Sequence, residues 1–273
     1  MPRGISLHIG LNRVDPTCYG GWDGYLASCE ADMHAMGGIC ASQGFEISNL
    51  PTAQATWDRV GAAVRDAAGR LRAGDTFVLT YAGHGGAYED GEGDEIDGQD
   101  ETWCLFDGQV LDDELHELWY LFAAGVRVLV VSDSCHSATV ARRIASQPDL
   151  LQTSLRPPAF DVTPRLMPAA VAELTRDDLK PRFDAAQARA PAGEPGCALV
   201  VMGACQDDEL SWGDDENGLF TRALMQTWSR PDLAAGYPAL TAAIATRLTR
   251  QRPNCMTLGA ADPAFLNGRT FTL

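Results

Sequence analysis

The chain has 273 residues, of which 45% are hydrophobic, and a formal net charge of −16 at pH 7. This apolar content is enough for a full hydrophobic core and excludes global disorder. The excess of acids argues against nucleic acid or an anionic membrane as a partner. Met1 to Gly4 lead straight into a strand-like run, and no apolar run reaches the roughly 18 residues that span a membrane. We therefore expect no secretory leader and a cytoplasmic location.

The predicted elements alternate between strands and helices up to about residue 144. In chain order they are a strand over 4–11, a helix over 27–43, a strand over 45–50, a helix over 56–71, a strand over 75–81, a hairpin over 102–110, a helix from 112 that ends at Gly125, and a strand over 127–135. Such alternation is typical of an α/β fold with a mostly parallel sheet and helices on both faces.

The pattern changes between residues 144 and 196, where no helical or strand period is sustained and eight prolines occur. A segment of that length without its own fold is usually functional or mobile. After it we predict a strand over 197–204, helices over 218–228 and 238–250, and a last strand near 254–259 or 269–273.

Two predicted buried strands end in groups that can react. The strand over 75–81 leads to His84, which lies between glycines, and the strand over 127–135 leads to Cys135. Because the carboxyl ends of parallel strands meet at one edge of a sheet, these two side chains can meet there. We interpret them as the base and the nucleophile of a cysteine protease. The backbone N–H groups of Gly85 and Cys135 are the candidate donors to an oxyanion.

The remaining cysteines carry less information. The chain has eight cysteines and no CxxC pair, so most are expected to be buried, reduced thiols. Cys135 is the main exception, and Cys29 is a second candidate for a role in the site.

Acidic residues concentrate in two segments that follow predicted strands. Residues 89–101 hold eight acids and no base, and residues 207–216 hold six acids. They are either solvated loops or, at the edge shared with His84 and Cys135, a surface for basic substrates or a divalent-cation site.

The sequences YAGHGG (81–86) and DSCHSA (133–138) resemble the two catalytic motifs of the metacaspases, within the caspase-like cysteine peptidases. Cys29-x-x-Asp32 is similar to that family's first pocket element for the P1 residue, the residue before the cleaved bond. GACQDDELS (203–211) and NGLFTRAL (217–224) resemble its small region. The implied fold is a three-layer α/β/α sandwich around a mostly parallel six-stranded sheet.

The resemblance also implies roles and boundaries. His84 is the base and Cys135 the nucleophile, with Gly85 beside them. The implied pocket residues are Cys29, Asp32, Ala82, Asp133 and Asp208, and the implied P1 residue of protein or peptide substrates is Arg or Lys. Ala82 stands where the family often has Ser. The chain is then one domain over 1–273, with a large region 1–143, a linker 144–196 and a small region 197–273.

Regulation follows from the same resemblance. We expect a monomeric zymogen that is cut in the linker by itself or by an upstream activating protease. The basic residues there are Arg156, Arg165, Arg176, Lys180, Arg182 and Arg189, of which Arg156 and Lys180 precede proline and are poorer sites.

Calcium dependence stays open at this point. Many metacaspases are activated by calcium through clustered acids, and Asp97, Asp100, Asp112 and Asp113 could be remnants of such a site. Arg142, however, stands where calcium-dependent members often have an acid. We expect no metal site and no required cofactor, with Ca²⁺ as an open possibility.

Three other readings remain. The protein could be a caspase-like peptidase with acidic P1 preference that uses Arg13, or a catalytically silent scaffold that keeps the fold. It could also be a nucleotide-binding α/β domain, although no phosphate-binding glycine motif is present.

Overall fold

The computed structural model describes residues 2–89, 99–135, 162–189, 191, 193–206, 209–229 and 236–273. Its strands are β1 Gly4–Gly10, β2 Glu46–Pro51, β3 Thr76–Ala82, β4 Gly85–Glu89, β5 Gln99–Leu105, β6 Gly108–Leu111, β7 Arg127–Asp133, β8 Thr163–Pro164, β9 Ala198–Gly203, β10 Trp212–Gly213 and β11 Asn254–Gly259. Its helices are α1 Cys29–Ser42, α2 Trp57–Arg70, α3 Asp112–Trp119, α4 Ala169–Gln187, α5 Leu219–Trp228, α6 Tyr237–Ala245 and α7 Pro263–Asn267.

A six-stranded sheet with the order β11-β9-β7-β3-β1-β2 forms the centre of the molecule. All neighbouring pairs are parallel except β11 with β9. In β3, Phe77 and Leu79 face one core cluster and Val78 faces the other, as the two-residue period of a strand requires. Helices α2 and α3 cover the first face, and α1, α5 and α6 cover the second. The predicted α/β/α sandwich with a mostly parallel six-stranded sheet is confirmed.

The register of the two central strands brings the reactive residues to one edge. Ala82, the last residue of β3, lies opposite Asp133, the last residue of β7. His84 and Cys135 each follow two residues later. A second sheet, of the antiparallel strands β4, β5 and β6, begins at this edge. Its strands β5 and β6 form the predicted hairpin, and β4 pairs with β5 as a third strand.

Helix α4 is the main element that the sequence reading missed. It contains Pro181, and the eight prolines of the region suggested irregular chain. Its buried face repeats at helical spacing, because Val171, Thr175, Phe183 and Ala186 are buried there. Arg182 anchors it to α3 through a two-point ion pair with Glu114, at 2.7 Å for each bond.

All eight cysteines are free, and six of them are buried, in line with the expectation for most of them. Within the described part of the chain, every helix is too short or too polar to cross a bilayer.

Candidate active site

His84 is held in one orientation by the loop that follows β1. Its Nε2 lies 3.1 Å from the backbone oxygen of Gly24, and its ring packs against Trp22 with 4.8 Å between centroids. An Nε2–H that donates to this carbonyl leaves the lone pair on Nδ1. Nδ1 is buried and has no hydrogen-bond partner among the described residues. Burial lowers the pKa of His84 to about 4, so the imidazole is neutral at physiological pH and can accept a proton.

Cys135 lies at the end of β7 and is fully buried. Its sulfur accepts a hydrogen bond from the N–H of Ser211 at 3.0 Å and lies 3.4 Å from the carbonyl oxygen of the same residue. Burial, with the neighbouring Cys205, raises the pKa of the Cys135 thiol well above its usual value. The resting thiol is therefore protonated, and a base must remove its proton during attack.

Arg165 lies across the edge between these two residues. Its carbonyl oxygen accepts hydrogen bonds from the N–H of Gly85 at 3.0 Å and from that of Cys135 at 3.2 Å. Its own N–H donates to the oxygen of Ser211 at 2.9 Å, and the preceding strand β8 pairs with β10 in antiparallel fashion. The two donors proposed for an oxyanion thus converge on one peptide carbonyl.

The side chain of Arg165 is fully buried between two carboxylates. It forms an ion pair with Asp32, and its Nη1 lies 3.2 Å from Asp133 Oδ2 and donates to the Asp133 carbonyl at 2.9 Å. Burial alone would lower the pKa of this guanidinium, but Asp133, Cys29 and Asp32 together raise it well above its usual value. Burial raises the pKa of Asp32, and Arg165 counteracts part of that rise. The pocket therefore holds a charged guanidinium.

The two carboxylates are themselves fixed by residues between positions 211 and 221. Asp32 accepts hydrogen bonds from the Asn217 side chain at 2.9 Å and from the N–H of Gly218 at 3.0 Å. Asp133 accepts hydrogen bonds from the Ser211 hydroxyl and the Thr221 hydroxyl, both at 2.7 Å. These donors, none of which belongs to Arg165, help to orient both acids toward the planar guanidinium.

Most of the site residues named from the sequence lie together. Gly85, Cys135, Asp32 and Asp133 all contact Arg165, as described above, and His84 lies close enough to Arg165 for that residue to affect the His84 pKa. Cys29 and Ala82 are buried and pack together with Leu26 in a small apolar cluster, and Cys29 lies close enough to Arg165 to affect its pKa. Asp208 lies outside the described residues.

Gly85 is required by space. A side-chain carbon at this position would lie 1.8 Å from the carbonyl oxygen of Cys135. The glycine therefore lets the two strand ends approach closely enough for both N–H groups to reach one oxygen.

The sequence reading missed how Arg165, Ser211, Asn217 and Thr221 contribute. The sequence marks Arg165 only as one of several basic linker residues. Of the others, Arg176, Lys180 and Arg182 lie on α4 and Arg189 follows it, whereas Arg156 lies outside the described residues. Ser211 lies in the GACQDDELS segment, but its residue type does not reveal its role, because its contacts with the Cys135 sulfur and the Arg165 N–H use the backbone.

No metal centre is found among the described residues, where no group of three or more His, Cys, Asp or Glu side chains is arranged to hold an ion. Most of the acidic segment 89–101, including Asp97, lies outside those residues, and the side chain of Asp100 is not described.

The site has the groups that acyl transfer requires. One carbonyl accepts two N–H donors, and a thiol and a neutral imidazole with an unpartnered Nδ1 follow the two strand ends. The residue that provides this carbonyl, Arg165, has a basic side chain that two acids hold in place.

The caspase-domain family model matches residues 3–262 of the chain. The chain is 28% identical to metacaspase-3 of Arabidopsis thaliana over 201 residues, which is 68% of this chain and 49% of that protein. It is 41% identical to metacaspase-1 of Schizosaccharomyces pombe over 93 residues, which is 32% of this chain and 21% of that protein. The matches thus span about a fifth to a half of these curated relatives.

Two solved structures resemble the fold. A crystal structure of a Geobacter sulfurreducens protein has a TM-score of 0.86 and 42% identity and covers 99% of both chains. Caspase-1 of Spodoptera frugiperda has a TM-score of 0.57 and 11% identity, over 93% of this chain and 86% of that one, so it supports the fold alone.

Proposed function

Because the chain belongs to the caspase-domain family of cysteine peptidases, we propose that it is an endopeptidase that cleaves protein chains after Arg or Lys through the His84/Cys135 dyad. One observation carries the proposal. Arg165 has its guanidinium between Asp32 and Asp133 and its carbonyl on two N–H donors. A substrate arginine bound in the same way would present its carbonyl to the nucleophile.

The chemistry follows from these positions. Nδ1 of His84 takes the proton of the Cys135 thiol as the sulfur attacks the carbonyl carbon. The oxyanion is stabilised by the N–H groups of Gly85 and Cys135. The imidazolium then gives its proton to the leaving amine, and water hydrolyses the thioester. The sulfur must first give up its contacts with Ser211.

The charge of the pocket supports a basic P1 residue. Two carboxylates in a water-excluded pocket repel each other unless a cation joins them, and a guanidinium binds both in planar geometry. Arginine is therefore the better substrate, and lysine, with a single point of charge, the weaker one. Arg13, on which the acidic-P1 alternative depends, is exposed and lies over the Tyr25 ring with 5.9 Å to its centroid.

The position of Arg165 supports regulation by linker cleavage. Arg165 belongs to the linker 144–196, and in the intact chain it occupies the pocket that a substrate would need. Cleavage of the Arg165–Leu166 bond, by Cys135 of the same molecule or by an upstream protease, would free the segment to leave. The intact chain is then a monomeric zymogen. The activity requires no cofactor, and Ca²⁺ is a possible activator.

A catalytically silent scaffold is the alternative from another class. It would need neither the free Nδ1 of His84 nor paired donors at Gly85 and Cys135. The presence of both weighs against it.

Mapping of cleavage sites decides between these functions. Wild type and Cys135→Ala are incubated with a proteome-derived peptide library, with and without Ca²⁺. We expect cuts after Arg and, more slowly, Lys from wild type alone. Cuts after Asp would support the acidic alternative, and no cuts under any condition would support the scaffold. A rate that rises with Ca²⁺ would identify it as an activator.

A further inference from the structure

The linker segment is held on both sides of the Arg165–Leu166 bond. Beyond that bond, Leu166 forms a parallel bridge with Gly85, and the N–H of Met167 donates to the Gly85 oxygen at 2.8 Å. The segment is extended here, so side chains two residues apart point to the same side. Arg165 and Met167 are both buried, whereas Leu166 between them is partly exposed. The enzyme thus holds a second side chain, two residues after Arg165.

The Met167 side chain fills an apolar pocket and is only 2% exposed. The walls include Val14, Tyr19 and Cys104, and the Cys104 sulfur lies 3.8 Å from that of Met167. Val14 and Tyr19 come from the loop after β1, and Cys104 comes from β5. Val14, Tyr19 and Cys104 thus come from outside the linker, whereas Val171 of α4, which packs in the same cluster, belongs to the linker that provides Met167.

Gly86 leaves the room that this side chain occupies. A side-chain carbon at position 86 would lie 2.8 Å from the Met167 terminal methyl carbon and 2.7 Å from Thr102 Oγ1. The backbone of Gly86 does not have a positive φ, so the glycine is needed here for space and not for conformation.

The same loop holds the pocket and the base. Tyr19 packs edge-on against Trp22 at 5.9 Å, Trp22 packs against His84, and Gly24 accepts the hydrogen bond from His84. An apolar side chain in the pocket therefore rests on the loop that orients the imidazole.

We propose that Val14, Tyr19, Cys104 and Gly86 form a subsite for a flexible apolar side chain at P2′, the second residue after the cleaved bond, and that Met167 is its occupant during self-cleavage. The inference rests on the proposed function, because it takes the Arg165–Leu166 bond as the bond that is cut. It adds a requirement on the leaving-group side of the substrate.

The test uses the full chain with Met167→Leu and Met167→Ala. Each protein is made by cell-free synthesis, and the loss of intact chain and the mass of the fragments are followed over time. Loss of several methylene-sized groups from an apolar subsite slows cleavage about 10- to 100-fold. We expect that slowing for Met167→Ala, and a rate within about threefold of wild type for Met167→Leu.

A second measurement separates a subsite from a purely structural role. After processing is complete, each variant is assayed on a peptidyl-Arg-aminomethylcoumarin reporter, which has no residues after P1 except the dye. With active enzyme counted by titration of the thiol, we expect all three proteins to hydrolyse it at the same rate.

Three results would overturn the inference. Met167→Ala could cleave its own chain at the wild-type rate, or it could lose as much activity on the reporter as in self-cleavage. The wild-type protein could also hydrolyse the reporter while its Arg165–Leu166 bond stays intact. If wild type cleaves neither its own chain nor the reporter, the proposed function itself fails.

Discussion

Replacement of Asp32 by asparagine tests the charge of the proposed P1 pocket directly. Asp32 is buried, forms an ion pair with Arg165, and accepts hydrogen bonds from Asn217 and Gly218. The Asp32→Asn variant keeps the shape of the side chain and removes one of two charges that face the guanidinium. Loss of one partner of a desolvated charge pair costs roughly 2–5 kcal/mol. Because Asp133 remains, we expect a loss that stays below the upper end of this range, about 30- to 1000-fold in kcat/KM for arginine substrates.

The assay compares an arginine substrate with its citrulline analogue, which has nearly the same shape and no charge. The ratio of the two kcat/KM values does not depend on how much of the enzyme is processed. We expect the ratio to fall by the stated factor in Asp32→Asn and to stay at the wild-type value in Asp66→Asn, which changes an exposed acid paired with Arg70. An unchanged ratio in Asp32→Asn would remove Asp32 from the pocket.

Three further changes test other parts of the site. Gly85→Ala places a carbon 1.8 Å from the Cys135 carbonyl oxygen, so we expect kcat to fall at least about 100-fold. A kcat near the wild-type value would contradict the proposed role of the Gly85 N–H as a donor to the oxyanion. Arg165→Ala empties the proposed P1 pocket. We therefore expect no cut at this bond, but we expect the uncut chain to hydrolyse the arginine reporter. A variant that is folded and inactive would show that cleavage itself is required. In Cys135→Ala, unfolding by urea should become easier as the pH falls from 6.5, because burial lowers the pKa of His8 to about 3 and that of His84 to about 4. Each of these histidines takes up a proton only on unfolding, so each should lower the free energy of unfolding by about 1.4 kcal/mol per pH unit. A free energy of unfolding that stays constant down to pH 4.5 would refute this.

The sequence predicts that two strand ends meet, and the register of β3 with β7 places them side by side. The apolar run of β7 and the matching run of β3 imply parallel neighbours, and parallel neighbours place His84 and Cys135 at one edge. Asp32 and Asp133 came from the resemblance to metacaspases, since nothing in local spacing brings a helix residue beside a strand end 101 positions later.

Other contacts could not be read from local pattern, because they join segments far apart in the chain. The bond from the Thr221 hydroxyl to Asp133 joins residues 88 apart, and the backbone contact of Ser211 with Cys135 joins residues 76 apart. Helix α4 is different, because residues 144–196 show no sustained period and contain eight prolines, and its buried face is recognisable only once the helix is seen packed. The pocket of Met167 depends on a side chain absent at Gly86, which no propensity reveals.

The pairing of β7 with β9 has a consequence for what a cut in the linker can do. Six residue pairs join these strands, from Arg127 with Ala198 to Ser132 with Gly203. One strand precedes the Arg165–Leu166 bond and the other follows it. Hydrolysis there would leave two polypeptides interlocked through the middle of one sheet, so they would migrate together in gel filtration and separate only in denaturant. Cleavage would thus change how the chain is connected while the central sheet keeps its strands. It would be irreversible because the peptide bond is lost.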